Sequence, residues 1–133
     1  DFSLPAIPVV ELERHVTKKL HPYTVMYGPD SRESTRVKDL VDIVLIAGLT
    51  ELDASKLRTS LRATFDERAS QPLPQSVPTP PDSWARPYAQ LAREVGLDTD
   101  LMTGHAAAAQ LLDPVLKSTA TGRWNPKSRR WRD

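Results

Sequence analysis

Three charged side chains set the chemical question. Lys19 lies in the stretch VVELERHVTKKLHPY, and Asp39 and Asp42 lie in SRESTRVKDLVDIVLIAG. On a helical wheel of about 100° per residue, Val9, Leu12, Val16, Leu20 and Tyr23 fall on one side of the first stretch. Lys19 sits roughly 60° from the middle of that stripe, and Lys18 points almost opposite. Asp39 and Asp42 are three residues apart and share a second stripe, which Arg36 continues toward the N-terminus. A cation at a core–surface seam beside two acids of a neighbouring helix is chemistry suited to a phosphate: the ammonium clamps it and an acid positions or deprotonates an acceptor. The same residues also have plainer uses. Lysines at a boundary snorkel, and Arg36–Asp39 and Lys38–Asp42 are spaced as surface ion pairs worth under about 1 kcal/mol each.

Other constellations carry less. Asp98-Thr99-Asp100 matches an acid-x-acid metal motif only superficially. That motif needs a strand to aim both carboxylates one way, whereas here it opens a helix and reads as capping. The histidines at 15, 21 and 105 have no partner at zinc-ligand spacing. No Gly-rich phosphate loop and no nucleophile elbow is present.

The elements that position these residues follow from pattern. Pro5 and Pro8 keep the start extended, and Ile7, Val9 and Val10 predict a short strand. A first helix is expected over about Val10–His21, ended or kinked at Pro22. Tyr27-Gly28-Pro29-Asp30-Ser31 reads as a turn. Ser34 or Thr35 is then expected to cap a second helix that buries Val37, Leu40, Val41, Val44 and Leu45 and stops near Gly48. Asp53 caps a third helix to about Arg68. Residues 71–82, with five prolines in twelve positions, predict a stiff extended connector over the surface. A fourth helix spans about Asp82–Val95 and ends at Gly96. A fifth, capped by Asp98, runs from Thr99 to about Leu112, with the alanines at 106–109 allowing close helix approach and Asp113-Pro114 ending or kinking it. Trp124 and Trp131, flanking Asn125-Pro126-Lys127-Ser128, predict a terminal hairpin that buries its indoles. The fold class is therefore mainly α. It divides into residues 1–70 with the charged motifs, a connector at 71–81, and a C-terminal part at 82–133.

The 133 residues suit one domain, and the net charge of +1 gives no global field for a polyanion or a membrane. Charge is uneven, however: RWNPKSRRWRD after Gly122 holds five bases and one acid. Cysteine is absent, which suits a reducing cytoplasm. The longest apolar run, Val41–Leu49, is too short to span a bilayer, and no signal peptide is expected at the start.

Glu13-Arg14-His15-Val16-Thr17-Lys18-Lys19-Leu20-His21, followed by Ser34-Thr35-Arg36-Val37-Lys38-Asp39-Leu40-Val41-Asp42, resembles the last two motifs of the AbiEii-type nucleotidyltransferase toxins, the MenT-like group in particular. LLDPVL…TGRWNPKSRRW is similar to that group's ending. The resemblance implies the helical C-terminal half of an α/β fold from the DNA polymerase β-like superfamily. It also implies a Lys19 that contacts nucleotide phosphates, an Asp39 that serves the acceptor hydroxyl, and supporting roles for Asp42 and Arg36. It further implies magnesium, a nucleoside triphosphate donor, an RNA acceptor such as the tRNA 3′ end, and a cognate antitoxin. The chain departs from the family pattern in having no Gly-Ser loop and no strand-borne acid pair. The implied partner is an N-terminal half that carries them, without which the chain is expected to be inactive. Pro22 stands where the pattern leads one to expect alanine. Two other function classes follow from the residues alone: a non-catalytic helical interaction domain, and an RNA-binding adaptor using the Arg/Trp tail.

Overall fold

The computed structural model describes residues 9–24, 33–68 and 72–133. Among the described residues, five α-helices and a small antiparallel sheet surround one hydrophobic core. α1 spans Val9–Thr24, α2 Glu33–Leu49, α3 Ala54–Arg68, α4 Ala85–Glu94 and α5 Leu101–Leu116. β1 (Leu52–Asp53) pairs with β2 (Arg123–Asn125), which pairs with β3 (Arg130–Arg132).

α2 is the central helix. α1 packs on it and on α3, while α4 and α5 also lie against α2. Val37, Leu40, Val41 and Val44 are buried as their spacing predicts, Leu45 is partly buried, and Ile43 and Ala47 are also fully enclosed. A helix with neighbours on more than one side is apolar most of the way round, which a single-stripe reading understates. α1 contributes Val16, Leu20 and Tyr23, and α3 contributes Leu57, Leu61 and Phe65 at four-residue intervals.

Several local expectations are corrected. Val9 and Val10 open α1 and form no strand, because the amphipathic period of the helix begins with them; Ile7 lies outside the described residues, as does the turn at 27–31. Pro22 is carried inside α1, which runs one turn further to Thr24. A proline so near the end deletes one amide bond, and the buried Tyr23 holds the last turn in place. Its hydroxyl donates to Pro78 O at 2.6 Å. α2 starts at Glu33, so Ser34 and Thr35 lie within the helix and do not precede it. The cap of α5 is Asp100, whose carboxylate accepts from Thr103 N at 2.9 Å, and Asp98 instead accepts Asp100 N in the preceding turn. α5 continues through Pro114 to Leu116 because Val115 and Leu116 are buried.

The proline-rich segment is pinned, not merely draped. Val77 is buried, its N–H donates to Asp113 Oδ1 at 2.8 Å, and its carbonyl lies 3.0 Å from His105 Nε2. Extended backbone has no internal partners, so side chains from α5 supply them. The close approach of α4 and α5 falls at Gly104, ahead of the alanine run: a Cβ there would meet the hydroxyl of the fully buried Tyr88. Asp53 caps α3 as expected, accepting Lys56 N at 2.9 Å.

Candidate active site at the seam of the first two helices

The packing of α1 on α2 brings Lys19 to both acids. Its Nζ lies 2.9 Å from Asp42 Oδ2 and 3.9 Å from Asp39 Oδ1. The first is a charge-assisted hydrogen bond, and the second is too long to be one. Lys38, one turn before Asp42 on the same helix, completes the cluster at 3.0 and 3.3 Å from the two Asp42 oxygens. Lys19 is at the boundary, with 32% of its side chain exposed, while Lys18 is fully on the surface. The wheel position of Lys19 thus separates two adjacent lysines in space as well as in sequence.

Asp39 is the unusual member. Its side chain is 9% exposed, and among the described residues its Oδ2 is buried without a hydrogen-bond partner. A carboxylate taken out of water in this way resists ionisation. Burial pushes its pKa from the ordinary 3.8 up to about 6, against the pull of Lys19 and Arg36. Asp42 adds to the rise, and Lys38 opposes it. Arg36 is half-buried one turn earlier on α2, and its Nε is likewise without an acceptor among the described residues. It acts on Asp39 through its charge.

The linkage has a testable sign. Because Asp39 holds its proton more tightly in the native state, stability falls as pH rises from about 4 to about 6, and the full cost is present above that. Asp39→Asn removes the ionisation, so the variant is expected to be about 1–2 kcal/mol more stable than the parent at pH 7.5, after allowance for screening at the rim. The gain should vanish below about pH 4. Urea unfolding at the two pH values measures it, and a variant no more stable at pH 7.5 would contradict a desolvated carboxylate.

Glu13, in the same motif as Lys19, has a structural task. It is fully buried, and its Oε2 accepts the amide of Asp53 at 2.7 Å. The carboxylate thereby ties α1 to the residue that caps α3. No periodicity argument distinguishes it from a surface glutamate, since only the position of the distant Asp53 amide gives it a partner. His21 is also buried, with its ring edge-on to Phe65 at 4.9 Å.

A groove lies elsewhere, between α1 and α3. It encloses about 550 Å³ and is lined by Lys18 and Lys56 among several hydroxyl side chains. Neither Lys19 nor either acid lines it.

Comparison with protein families matches residues 1–119 to the nucleotidyl transferase AbiEii toxin, type IV TA system. The chain belongs to this AbiEii family. No curated protein and no solved structure matches it. AbiEii membership makes nucleotidyl transfer the relevant chemistry and an antitoxin the expected partner class.

Nucleotidyltransferase families generally use a divalent metal. Asp39 and Asp42 do not fit as a magnesium site by themselves. Both oxygens of Asp42 are engaged by ammonium groups, a lysine stands beside Asp39, and no group of three candidate ligands occurs among the described residues. The Asp98–Asp100 pair is committed to backbone amides. No helix among the described residues is long and apolar enough to cross a membrane.

Proposed function

We propose that this chain carries the lysine and the last aspartate of a toxin nucleotidyltransferase that moves a nucleotide from a nucleoside triphosphate to an RNA hydroxyl, the tRNA 3′ end being the expected acceptor. The reading rests on one observation: Asp39 is a desolvated carboxylate with an unused oxygen, next to a partly exposed ammonium on the facing helix. A base working near neutral pH needs a raised pKa, and Asp39 has one.

In this scheme Lys19 leaves Asp42 for the phosphates of the incoming nucleotide. Asp42 keeps Lys38 as its partner, and Asp39 keeps the charge of Arg36 beside it. Asp39 accepts the proton of the attacking hydroxyl, and Arg36 holds the pKa of Asp39 below the value that burial alone would set. A divalent metal would be held by a Gly-Ser loop and acid pair contributed from outside these residues, and would supply charge stabilisation to the phosphates. Phosphoryl transfer depends on such positioning and charge stabilisation, so the chain is inactive without them. A nucleoside triphosphate and RNA acceptor place the reaction in the cytoplasm.

The pH profile of transfer tests the base. With labelled nucleoside triphosphate, magnesium and tRNA, the assembled enzyme should show a rate rising tenfold per pH unit below about 6 and level above it. Asp39→Asn should flatten that limb and lower the plateau by about 10² or more. A normal profile in the variant would remove Asp39 from the chemistry. A second reading, a non-catalytic helical interaction domain, is favoured by the grip of two lysines on Asp42; it requires that neither Lys19 nor Asp39 affects transfer.

A further inference from the structure

The C-terminal hairpin has two unlike faces. Trp124 and Trp131 are opposite one another across β2 and β3, with ring centroids 5.6 Å apart. Their indole N–H groups donate inward, to Ala47 O and Leu111 O, each at 2.8 Å. Strand alternation then sends Arg123, Asn125, Arg130 and Arg132 to the other face, where all four are exposed. The register sets Arg123 directly opposite Arg132 and Asn125 opposite Arg130. Lys127 in the turn adds a further exposed cation.

Two arginines facing each other across a ladder repel at about 5 Å, and little among the described residues relieves them. Glu51 meets Arg123 at 3.2 Å, but both side chains are at least half exposed, so water screens the pair. The Asp53 carboxylate is used on the amide of Lys56, and Asp133 follows at the end of β3. Among the described residues, no carboxylate lies within ion-pair distance of Arg130, Arg132 or Lys127. The face is also rigid. Asn125 Oδ1 accepts the amides of Lys127 and Ser128, Gln110 Nε2 donates to Arg129 O, and the close fit of Gly122 under the Arg132 carbonyl leaves no room for a Cβ.

We propose that this arginine face binds the phosphodiester backbone of the RNA acceptor. The inference rests on the nucleotidyl transfer reading above and extends it to the acceptor's docking surface. Guanidinium groups suit phosphate because their fork of N–H donors matches two oxygens. Arg130 and Arg132 stand two residues apart on one strand, about 6.8 Å, so each can take a separate phosphate of an extended chain. The indoles face inward, which excludes base stacking and makes the contact indifferent to sequence. The hairpin is also joined to the helix that carries Asp39: Trp124 bonds Ala47 O, eight residues and about 12 Å further along α2.

The test is anisotropy of the full chain with fluorescent tRNA and with an oligouridylate, across a salt series and without nucleotide or magnesium. Binding should weaken as salt rises. The double variant Arg130→Gln/Arg132→Gln should weaken it at least fivefold at 0.1 M salt and lower the slope of log K against log salt by about 1.4 for the oligouridylate. Lys127→Gln, in the turn and away from the ladder, should lower it by about half that amount. Unchanged slopes in both variants would overturn the proposal. Displacement of the RNA by polyglutamate at equal charge concentration would overturn it too, assigning the face to an acidic polypeptide. The two readings fail separately: arginine-dependent binding with no transfer by the assembled enzyme removes only the nucleotidyl transfer reading, and active transfer by the assembled enzyme with arginine-independent binding removes only this one.

Discussion

Trp124→Ala is expected to cost about 3–5 kcal/mol of folding stability, a large part of the 5–15 kcal/mol that holds a typical domain together. The side chain is 1% exposed and is the largest fully buried group among the described residues. Its loss removes packing from the junction of α2, β1 and the hairpin, and it also strips the Ala47 carbonyl of the indole donor. Register explains why so much depends on one residue. Trp124 is paired with Leu52 on one side and Trp131 on the other, so all three strands of the sheet meet at it. Trp124→Phe isolates the hydrogen bond: it keeps most of the apolar bulk, and it should cost about 1–2 kcal/mol. Urea unfolding of both variants gives the values. A loss under about 1 kcal/mol for the alanine variant would mean that the hairpin is peripheral to the core.

Lys19→Ala should lower nucleotidyl transfer by about 10²–10³-fold while leaving the fold nearly untouched. The magnitude is that of removing one donor aimed at developing charge in a water-poor site. The small stability effect follows from the surroundings, since Asp42 retains Lys38 at 3.0 Å and the lysine stem lies at a boundary outside the core. Lys19→Arg is expected to recover only part of the rate, because the planar fork and the compact ammonium place their charge differently. The measurement is label transferred to tRNA by the assembled enzyme, with thermal unfolding of each variant alongside. Transfer within threefold of the parent would exclude Lys19 from phosphate binding and leave an ion-pair cluster that only braces two helices.

The two candidate helices show what pattern can and cannot reveal. Spacing alone put Lys19 at a seam and Lys18 in water, and it put Asp39 and Asp42 on one stripe. It could not tell the two acids apart. Asp42 is the one that hydrogen-bonds both lysines, and Asp39 is the one left buried with an oxygen short of a partner among the described residues. That difference arises because α2 has neighbours on more than one side, so a shift of three residues moves a carboxylate from a wet rim to a desolvated one.

Charge in the tail follows the same division. Its five bases and two tryptophans are plain in the residue order, as is the turn between them. The pairing of β1 with β2 was not legible, since a two-residue strand has no period of its own. Nor could a wheel foresee that Glu13 would meet the amide of Asp53, or that Asp113 and His105 would fasten Val77, because those partners are 28 to 40 residues apart.

By itself, then, the sequence determined the helices, the main apolar stripes, the capping of α3, the paired tryptophans and the family, all of which depend on nearest neighbours or on motif order. Only the tertiary structure decided which acid is desolvated, which lysine reaches it, and that the arginines of the hairpin share one outer face. Burial and distance between remote segments set those outcomes, and both come into existence only when the chain packs.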